Sequence, residues 1–346
     1  MSDQAEQKIA ARLQWQADAC RMIGSPLYAG LLERTKEDVL ALGTTWEILR
    51  GHENDPQYSV LGLRLLGEVN KLVLTGREPA LGEAYRSRDA NEAWEELHNV
   101  LGRNAEALRG SIDRPVQTNE VGRSAALLFG FLAVAAETEM PLRLLEVGAS
   151  AGLNLRWDRF GYSANGFSWG SADSPLQLRF ELEGEPPSLP QTVEIAERRG
   201  CDATPLDAST PEGRLALLSY IWPDQPERIV RMEAALEVAA QVPVSLERDT
   251  AAAWTERVLA EQAPGQATVV YHSIVSQYLS EEERAALYAH IEAAGERAST
   301  SAPLAWLRME PRDDRADVHL TTWPRGEERL LARVGYHGSP VELFGP

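Results

Sequence analysis

Residues 142–154, Leu-Arg-Leu-Leu-Glu-Val-Gly-Ala-Ser-Ala-Gly-Leu-Asn, are the stretch of this chain best suited to ligand chemistry. The apolar run at 142–147 is typical of a parallel strand that is buried on both faces. Gly148 and Gly152 lack a Cβ, so the backbone can turn sharply after the strand and a ligand can approach closely. Residues 153–160 follow helical spacing, and backbone amides at a helix start favour negative or polar ligand groups. The stretch therefore predicts a nucleotide-type binding site that includes Asn154.

Polar residues also follow several later predicted strands, namely Asp202, Asp249 and His272. In doubly wound sheets, ligands bind at the carboxyl ends of strands near the switch in strand order, so we expect these side chains to converge on the glycine turn. Asp202 is the candidate acceptor for ribose hydroxyls, and Asp249 for an adenine amino group. Glu146 is expected to anchor the turn or an ammonium group. His272 is a candidate general base or hydrogen-bond donor, and a satisfied core histidine is an equally good interpretation.

The ribose-binding acid has a second candidate. In dinucleotide-binding folds this acid follows the glycine-rich turn by about 20 residues, and Asp202 lies far beyond that spacing. Asp202 takes the role if residues 163–190 form an insertion. If that segment contains the second core strand instead, Glu181 or Glu183 takes the role.

The segment 114–123, Arg-Pro-Val-Gln-Thr-Asn-Glu-Val-Gly-Arg, is polar and leads into an apolar helix before the central strand. Asn and Thr are common helix caps, so capping alone explains the segment as well as a functional role does. Because the segment precedes the central strand, it also reaches the expected mouth of the site. Asn119 and Glu120 are therefore candidates for handling a substrate.

The elements around these residues indicate an α/β protein. Residues 1–115 are expected to form an all-helical N-terminal domain, 116–140 a connecting segment and helix, and 141–346 a Rossmann-like domain with an insertion at 163–190. In this last domain predicted strands alternate with predicted helices, which indicates a mostly parallel sheet. We expect strands at 176–182, 242–246, 267–275, 304–309, 318–323 and 341–344, and a last helix at 327–334.

Composition limits the classes of partner. The formal net charge is −18, which argues against a nucleic-acid backbone as ligand because phosphate binding needs clustered Lys and Arg. Cys20 and Cys201 suit a reducing compartment, and the other histidines are scattered without metal-ligand spacing, so no metal is expected. The most apolar run, at 125–136, is too short to span a bilayer, and the N-terminus lacks a signal-peptide pattern. These observations predict a soluble cytoplasmic protein that acts on a small molecule, with its oligomeric state left open.

Two resemblances add to this interpretation. The Glu-x-Gly-x-x-x-Gly turn at 146–152 resembles motif I of class I S-adenosylmethionine-dependent methyltransferases, and residues 269–279 resemble their fourth strand and the loop that follows it. The whole chain resembles more closely an uncharacterised bacterial family, the domain-of-unknown-function 2332 proteins. That likeness lies in segments 116–123, 145–162, 222–225, 272–278, 303–310 and 327–336. The methyltransferase resemblance implies a Rossmann-like fold, S-adenosylmethionine as cofactor and methyl transfer to a small molecule.

Two alternatives stay open. Ser150 stands where motif I usually has its central glycine, which favours a non-catalytic Rossmann-like protein that binds a nucleotide or a partner. Residues 148–152 also spell Gly-x-Ser-x-Gly, the nucleophile turn of α/β-hydrolases, and Ser150, Asp249 and His272 follow the triad order of that fold. The hydrolase hypothesis is the weaker one, because its turn comes after several earlier strands and the first 140 residues here are expected to be helical.

Overall fold

The computed structural model describes residues 4–344, and the chain folds into two compact units. The first unit runs up to Thr118 and also includes Arg214–Val230. The second contains Asn119–Gly213 and the chain from Arg231 onward. The sequence predicted a helical domain that ends near residue 115, and it left 214–230 in the C-terminal domain.

The first unit is helical, as the sequence predicted for the N-terminal part of the chain. Its helices are α1 (Ala5–Met22), α2 (Pro26–Leu40), α3 (Thr44–Leu49), α4 (Leu61–Leu74), α5 (Pro79–Ser87) and α6 (Ala90–Ser111). Apolar side chains at helical spacing form one core, among them Ile9, Leu13 and Leu97. The N-terminus of α2 is capped by Ser25 and has Pro26 at its first position. The first N–H groups of a helix have no acceptor within the helix, so a proline at this position forfeits no hydrogen bond.

Residues 214–230 join the helical unit through specific contacts. The Trp222 side chain is buried in the helical core. Asp224 accepts hydrogen bonds from the Ser25 hydroxyl at 2.7 Å and from the Leu27 amide at 3.1 Å, so it caps α2. The Asn70 amide donates to the Ser219 carbonyl at 3.0 Å. The Trp222-Pro-Asp-Gln stretch is therefore a structural corner, and these long-range bonds explain why the predicted boundary misses it.

The second unit is built on strands. They are β1 (Leu142–Val147), β2 (Gly161–Ala164), β3 (Phe167–Gly170), β4 (Gln177–Arg179), β5 (Leu182–Glu183), β6 (Ile195–Asp202), β7 (Ser245–Arg248), β8 (Ala267–Ser273), β9 (Leu304–Arg312), β10 (Arg315–Trp323), β11 (Glu327–Val334) and β12 (Val341–Leu343). Its helices include α7 (Ser124–Thr138), α10 (Ala251–Leu259) and α11 (Glu281–Glu296), while α8 (Pro211–Ser219) and α9 (Pro226–Gln241) run across the boundaries of the two units.

The main sheet has nine strands in the order β5-β12-β11-β10-β9-β8-β1-β6-β7. The five strands from β7 to β9 are parallel, whereas β9, β10, β11 and β12 pair antiparallel, so the sheet is mixed. β1 lies between β6 and β8, and within the parallel part of the sheet the chain adds β6 and β7 on one side of β1 before it adds β8 and β9 on the other. The carboxyl ends of β1 and β8 therefore flank a switch in strand order, which is where ligands bind in doubly wound sheets.

The helix predicted at 327–334 is wrong, because these residues form β11. Three residues separate β10 from β11, and the hairpin places Ala316 opposite Val334. The Glu-Glu-Arg-Leu-Leu-Ala-Arg sequence favours a helix locally, but pairing with β10 overrides that weak preference. The antiparallel strands β9–β12 that result distinguish this sheet from a purely parallel one.

Residues 161–179 form a separate three-stranded sheet with the order β3-β2-β4. β5 then pairs with β12 at the far edge of the main sheet, where Leu182 lies opposite Val341. The second core strand is β6, which pairs with β1 in parallel. The cleanly alternating residues 176–182 therefore contribute only the short strands β4 and β5 and lie outside the parallel core.

One described stretch, Val121–Thr138, is long and apolar enough to cross a bilayer by those two criteria alone. Buried residues make up 67% of it, as in the core helix of a globular unit. α7 packs on the strands β8, β9, β10 and β11, which accounts for its apolar composition.

Candidate functional site

The turn after β1 has an unusual backbone. Gly148, Ser150 and Gly152 all have positive φ, at 70°, 51° and 66°. A Cβ at Gly148 would lie 2.5 Å from the Val275 side chain, so this position requires glycine for space as well as for conformation. Ile274, directly after β8, also has a positive φ of 56°, which is strained for a β-branched residue. Strained residues therefore collect at two neighbouring strand ends, as they do at many functional sites.

The backbone amides of the turn are largely bound within the protein. The Ser150 amide donates to Asp202 Oδ2 at 2.9 Å, and the Leu153 amide donates to Asn119 Oδ1 at 2.9 Å. The Ala149 amide donates to the Cys201 carbonyl at 2.9 Å. The turn is thus held in place by its own surroundings. It presents fewer open N–H groups than a phosphate-binding loop does.

No α-helix follows the turn, contrary to the sequence prediction. Asn154–Arg159 form a short 3₁₀ helix, and Arg156 inside it has non-helical angles. A six-residue 3₁₀ helix gives little dipole, so the expected attraction of a helix start for negative groups is weak here. A ligand at this turn would therefore depend on side chains rather than on a helix N-terminus.

Asp202 lies where a ribose-binding acid is expected. It ends β6, the parallel neighbour of β1, and its carboxylate reaches across to the turn at Ser150. Its other oxygen accepts from the Thr204 amide at 2.9 Å. Glu183, by contrast, lies in β5 at the opposite edge of the sheet, and Glu181 directly precedes that strand. Of the three acids that the sequence left open, only Asp202 adjoins the turn.

The polar segment before α7 reaches the same place. Besides the bond from Asn119 to the turn, Asn154 Nδ2 donates to the Glu120 carbonyl at 3.4 Å. Ser124 donates to Asn154 Oδ1 at 2.7 Å, and the Glu120 carboxylate accepts from the Gly122 amide at 3.1 Å. Asn119, Glu120 and Asn154 are all buried. The structure therefore brings these three predicted site residues together, as partners that fix the turn.

Glu146 is buried beneath this region. Its side chain is 2% exposed, and Oε2 has no hydrogen-bond partner among the described residues. Burial raises the pKa of the Glu146 carboxyl to about 8. Tyr271 lies directly opposite on β8, and its hydroxyl is likewise without a partner in the described part of the chain. Two polar groups thus face the interior side by side with unused hydrogen-bonding capacity.

Arg156 is a second buried charge next to the turn. Its guanidinium donates to the Val242 carbonyl at 2.7 Å and to the Gly152 carbonyl at 2.7 Å. No carboxylate pairs with it among residues 4–344. Burial lowers the pKa of Arg156 to about 10. The sequence did not predict this residue, since helical spacing gave no sign that its side chain turns inward to hold the turn.

His272 has no open ring nitrogen. Nδ1 is 2.5 Å from the Glu310 carboxylate, and the Trp306 indole donates to Nε2 at 3.1 Å. This assignment places the ring proton on Nδ1. Glu310 also accepts from the amides of Val275 and Ser276, so it ties the loop after β8 to β9. The geometry therefore favours the interpretation of His272 as a core histidine with both ring nitrogens hydrogen-bonded over its interpretation as a general base.

Asp249 follows β7, but its carboxylate is engaged elsewhere. Oδ2 forms an ion pair with Arg257 at 2.7 Å, and Oδ1 accepts from the Thr250 amide at 2.9 Å. The hydrolase arrangement is not assembled. Ser150 is 3% exposed, His272 uses both ring nitrogens, and Asp249 pairs with an arginine. We therefore do not propose the hydrolase.

Arg123 is another residue that the sequence did not mark as a candidate. Its guanidinium donates to the Ser273 carbonyl at 2.8 Å and to the Tyr336 carbonyl at 3.2 Å. It thus links the segment before α7 to the end of β8 and to the loop before β12. Its place in the segment 116–123, which carries part of the family resemblance, was the available signal. No group of three or more His, Cys, Asp or Glu side chains suited to a metal occurs within residues 4–344.

A cavity of about 580 Å³ lies at the other end of the sheet. It opens near the start of β8 and β9 and beside the β10–β11 hairpin, where Trp323 and the ion pair between Glu137 and Arg329 form part of the lining. These residues adjoin the amino ends of the parallel strands. The cavity is therefore separate from the turn at Gly148.

The comparisons with known proteins identify a family. A family profile described as "Uncharacterized protein conserved in bacteria (DUF2332)" matches residues 10–343. No curated protein and no solved structure matches the chain. Since the profile covers nearly the whole sequence, the chain belongs to the DUF2332 family of bacterial proteins.

Proposed function

We propose that the second unit binds S-adenosylmethionine at the carboxyl ends of β1 and β6 and transfers its methyl group to a small molecule. One observation carries the proposal. The Asp202 carboxylate at the end of β6 bonds to the Ser150 amide in the glycine turn after β1, beside a switch in strand order. In doubly wound sheets that juxtaposition of acid and turn holds the ribose end of a nucleotide-type cofactor.

The chemistry of Asp202 fits a ribose. Each of its oxygens accepts one backbone N–H, and a carboxylate has about four lone-pair sites, so capacity remains for two hydroxyl groups. The two existing bonds also fix the direction of the carboxylate before a ligand arrives. Such preorganisation increases affinity because less side-chain freedom is lost on binding.

The cofactor supplies the electrophilic methyl group, and the chain supplies position. Asn119 holds the Leu153 amide and so sets the shape of the turn, while Glu120 and Asn154 fix the segment above it. His272 has no ring nitrogen available for a proton. The proposal therefore favours an acceptor whose nucleophile needs no protein base, and positioning is the main contribution of the protein.

A second candidate function is nucleotide or partner binding without catalysis. The observation that favours it is the closed turn: amides of Ala149, Ser150 and Leu153 are bonded inside the protein, and no α-helix follows. A site of this kind can still bind through side chains such as Asp202. The two functions differ in whether a bound cofactor loses its methyl group.

The first test is calorimetric titration with S-adenosylmethionine and S-adenosylhomocysteine. We expect a Kd on the order of micromolar for the wild-type protein. Asp202→Asn should weaken binding at least tenfold. The matched control is Glu183→Gln, which alters the other candidate acid and should leave the Kd unchanged.

The outcomes separate the hypotheses. Absence of binding by the wild-type protein would show that the proposed cofactor is wrong. Equal loss in both variants would count against a site at Asp202. If S-adenosylmethionine binds but a panel of amine, hydroxyl and thiol acceptors gives no S-adenosylhomocysteine, the non-catalytic function is favoured.

A further inference from the structure

We propose that Glu146 holds a proton in the ligand-free protein and releases it when a cationic ligand binds at the carboxyl end of β1. The inference rests on the proposed function, because it concerns the regulation of the same site. It predicts that ligand affinity depends on pH through one buried carboxyl group.

The Glu146 carboxyl is buried without its full set of hydrogen bonds within residues 4–344. Glu146 is 2% exposed, and its Oε2 atom has no partner among the described residues. Tyr271, its direct neighbour in register on β8, is fully buried; its hydroxyl is close enough to favour the charged form of Glu146 but makes no full hydrogen bond within the described part of the chain. A buried carboxylate would need such hydrogen bonds, since an isolated ion is strongly disfavoured in an apolar surrounding. The neutral acid is therefore the stable form without a ligand.

The charges around the Glu146 carboxyl also affect its protonation. Burial raises the pKa of Glu146 to about 8, and the Asp202 carboxylate adds to the increase. Three groups oppose it: the Tyr271 hydroxyl, which can donate to the carboxylate, and the guanidinium groups of Arg156 and Arg123. These four residues come from β8, β6, the 3₁₀ helix after the turn and the segment before α7. With all of these contributions the pKa of Glu146 is about 8, so the carboxyl is mostly protonated at pH 7.

Arg156 is a buried cation near Glu146 without a carboxylate bonded to it among the described residues. Arg156 is 5% exposed, and its hydrogen bonds go to backbone carbonyls rather than to a carboxylate. The Glu146 carboxylate is an acidic group whose charge favours the protonated Arg156, so an ionised Glu146 would compensate this cation. Charges interact strongly in a buried site, so a second positive charge brought in by a ligand would favour the ionised carboxyl further. The ligand and the proton are therefore expected to exclude one another.

The test is titration calorimetry with S-adenosylmethionine at pH 7 in buffers that differ in their heat of ionisation. A group with a pKa of about 8 is about nine-tenths protonated at pH 7, so we expect release of about 0.9 proton for each ligand bound. The affinity should increase with pH, by up to about tenfold per pH unit below 8, and level off above it. Release with S-adenosylmethionine but not with S-adenosylhomocysteine would assign the effect to the sulfonium charge.

Two variants locate the proton. Glu146→Gln should bind without releasing a proton, and its affinity should not vary with pH between about 6 and 9. Tyr271→Phe removes a group that favours the charged form, so the pH at which affinity levels off should increase. In ligand-free protein, an infrared difference spectrum between the wild type and Glu146→Gln should show the carbonyl band of a protonated carboxyl group at pH 7.

The results distinguish this inference from the proposed function. Binding of S-adenosylmethionine with no proton release overturns the coupling and leaves the cofactor in place. Absence of the protonated band overturns the inference whether or not a ligand binds. A protonated band together with no binding of either ligand overturns both the coupling and the proposed cofactor.

Discussion

Glu310 is a single carboxylate that holds three parts of the second unit together. It accepts from His272 Nδ1 and from the amides of Val275 and Ser276. Burial alone would raise its pKa, but the bonds from His272 and from the two amides outweigh burial, and the pKa lies below the ordinary value. The ionised Glu310 therefore stabilises the folded state, and this stabilisation depends on pH.

We expect Glu310→Ala to lower the free energy of unfolding by about 2–3 kcal/mol, because it leaves a buried imidazole and two amides without their acceptor. The loss should be present near neutral pH and shrink as the pH falls below 4.5 through the folded-state pKa, where the wild type also loses the interaction. Urea unfolding across that range measures it. Glu342→Gln, at a partly exposed ion pair with Arg315 at 3.4 Å, is the control and should change the free energy of unfolding little.

Glu146 has the opposite pH dependence. Its folded-state pKa of about 8 lies above the ordinary value of 4.5, so the stability it contributes is complete below pH 4.5 and is lost as the pH rises through 8. In that interval the wild-type free energy of unfolding should fall by up to about 1.4 kcal/mol per pH unit relative to Glu146→Gln. Urea unfolding of the two proteins at matched pH values measures the difference. Parallel curves would contradict the assignment of a buried, protonated Glu146.

At the residue scale, the sequence indicated some of the residues that bond at or near the turn and missed others. Asp202 and Asn119 accept from amides of the turn, and Asn154 bonds to the segment before α7. Position after a strand or before a helix already indicates the edge of the sheet on which such residues lie. The role of Arg156 depends on a side chain that turns inward from a 3₁₀ helix. The state of His272 depends on Trp306 and Glu310, which lie more than 30 residues away.

At the scale of elements, glycine is required in the turn after β1 for two reasons, backbone conformation and space for the side chain. Gly148 and Gly166 have nearly the same φ, 70° and 73°, but a Cβ at Gly148 would meet Val275 at 2.5 Å and one at Gly166 would meet nothing within 4 Å. We expect Gly166→Ala to cost about 1 kcal/mol from backbone strain alone. Gly148→Ala should cost about 1–3 kcal/mol more, since overpacking adds to the strain.

Thermal or urea unfolding of both alanine variants gives the comparison directly. A similar loss at the two positions would show that space beside Val275 is not a constraint. If Gly148→Ala is the more damaging change, the loop after β8 must lie firmly against the turn after β1.

The sequence predicted the element type correctly where an apolar run was long and continuous. The prediction was wrong where contacts with distant residues decided the element type. The strands β1 and β8 are continuous apolar runs and were predicted with nearly their observed bounds. β11 has helix-favouring residues and became a strand because a short hairpin presents β10 as a partner. Residues 153–160 have helical spacing but form 3₁₀ turns, since Asn119, Glu120 and Ser124 bind that segment from outside.

At the scale of the whole molecule, the net charge of −18 affects how a cationic ligand arrives. An acidic surface attracts a positively charged ligand, and salt screens that attraction over about 10 Å at 0.1 M ionic strength. We expect the Kd for S-adenosylmethionine to rise severalfold between about 0.05 M and 0.5 M salt. S-adenosylhomocysteine, which lacks the sulfonium charge, should respond less in the same calorimetric series, and an identical response would contradict an electrostatic origin.

The division of the chain could be predicted only in part. Composition and helix signals predicted a helical domain up to about residue 115, and the first compact unit runs to Thr118. The return of 214–230 to that unit depends on Trp222, Asp224 and Asn70, whose contacts span about 150 to 200 residues of sequence. No local pattern reports contacts at that separation, so a continuous boundary was the natural prediction.

The short strand β5 limits the pairing of the sheet edge with strands of other molecules. It is two residues long and pairs with β12, and β12 in turn pairs with the last three residues, 332–334, of the eight-residue strand β11. A long open strand offers unpaired backbone groups to any other chain, whereas a very short outer strand offers almost none. Shortening the chain before Val341 would extend the open edge of β11 over residues 332–334 and lengthen the template for strand exchange between molecules. We therefore expect β5 and β12 together to limit aggregation at this edge of the sheet.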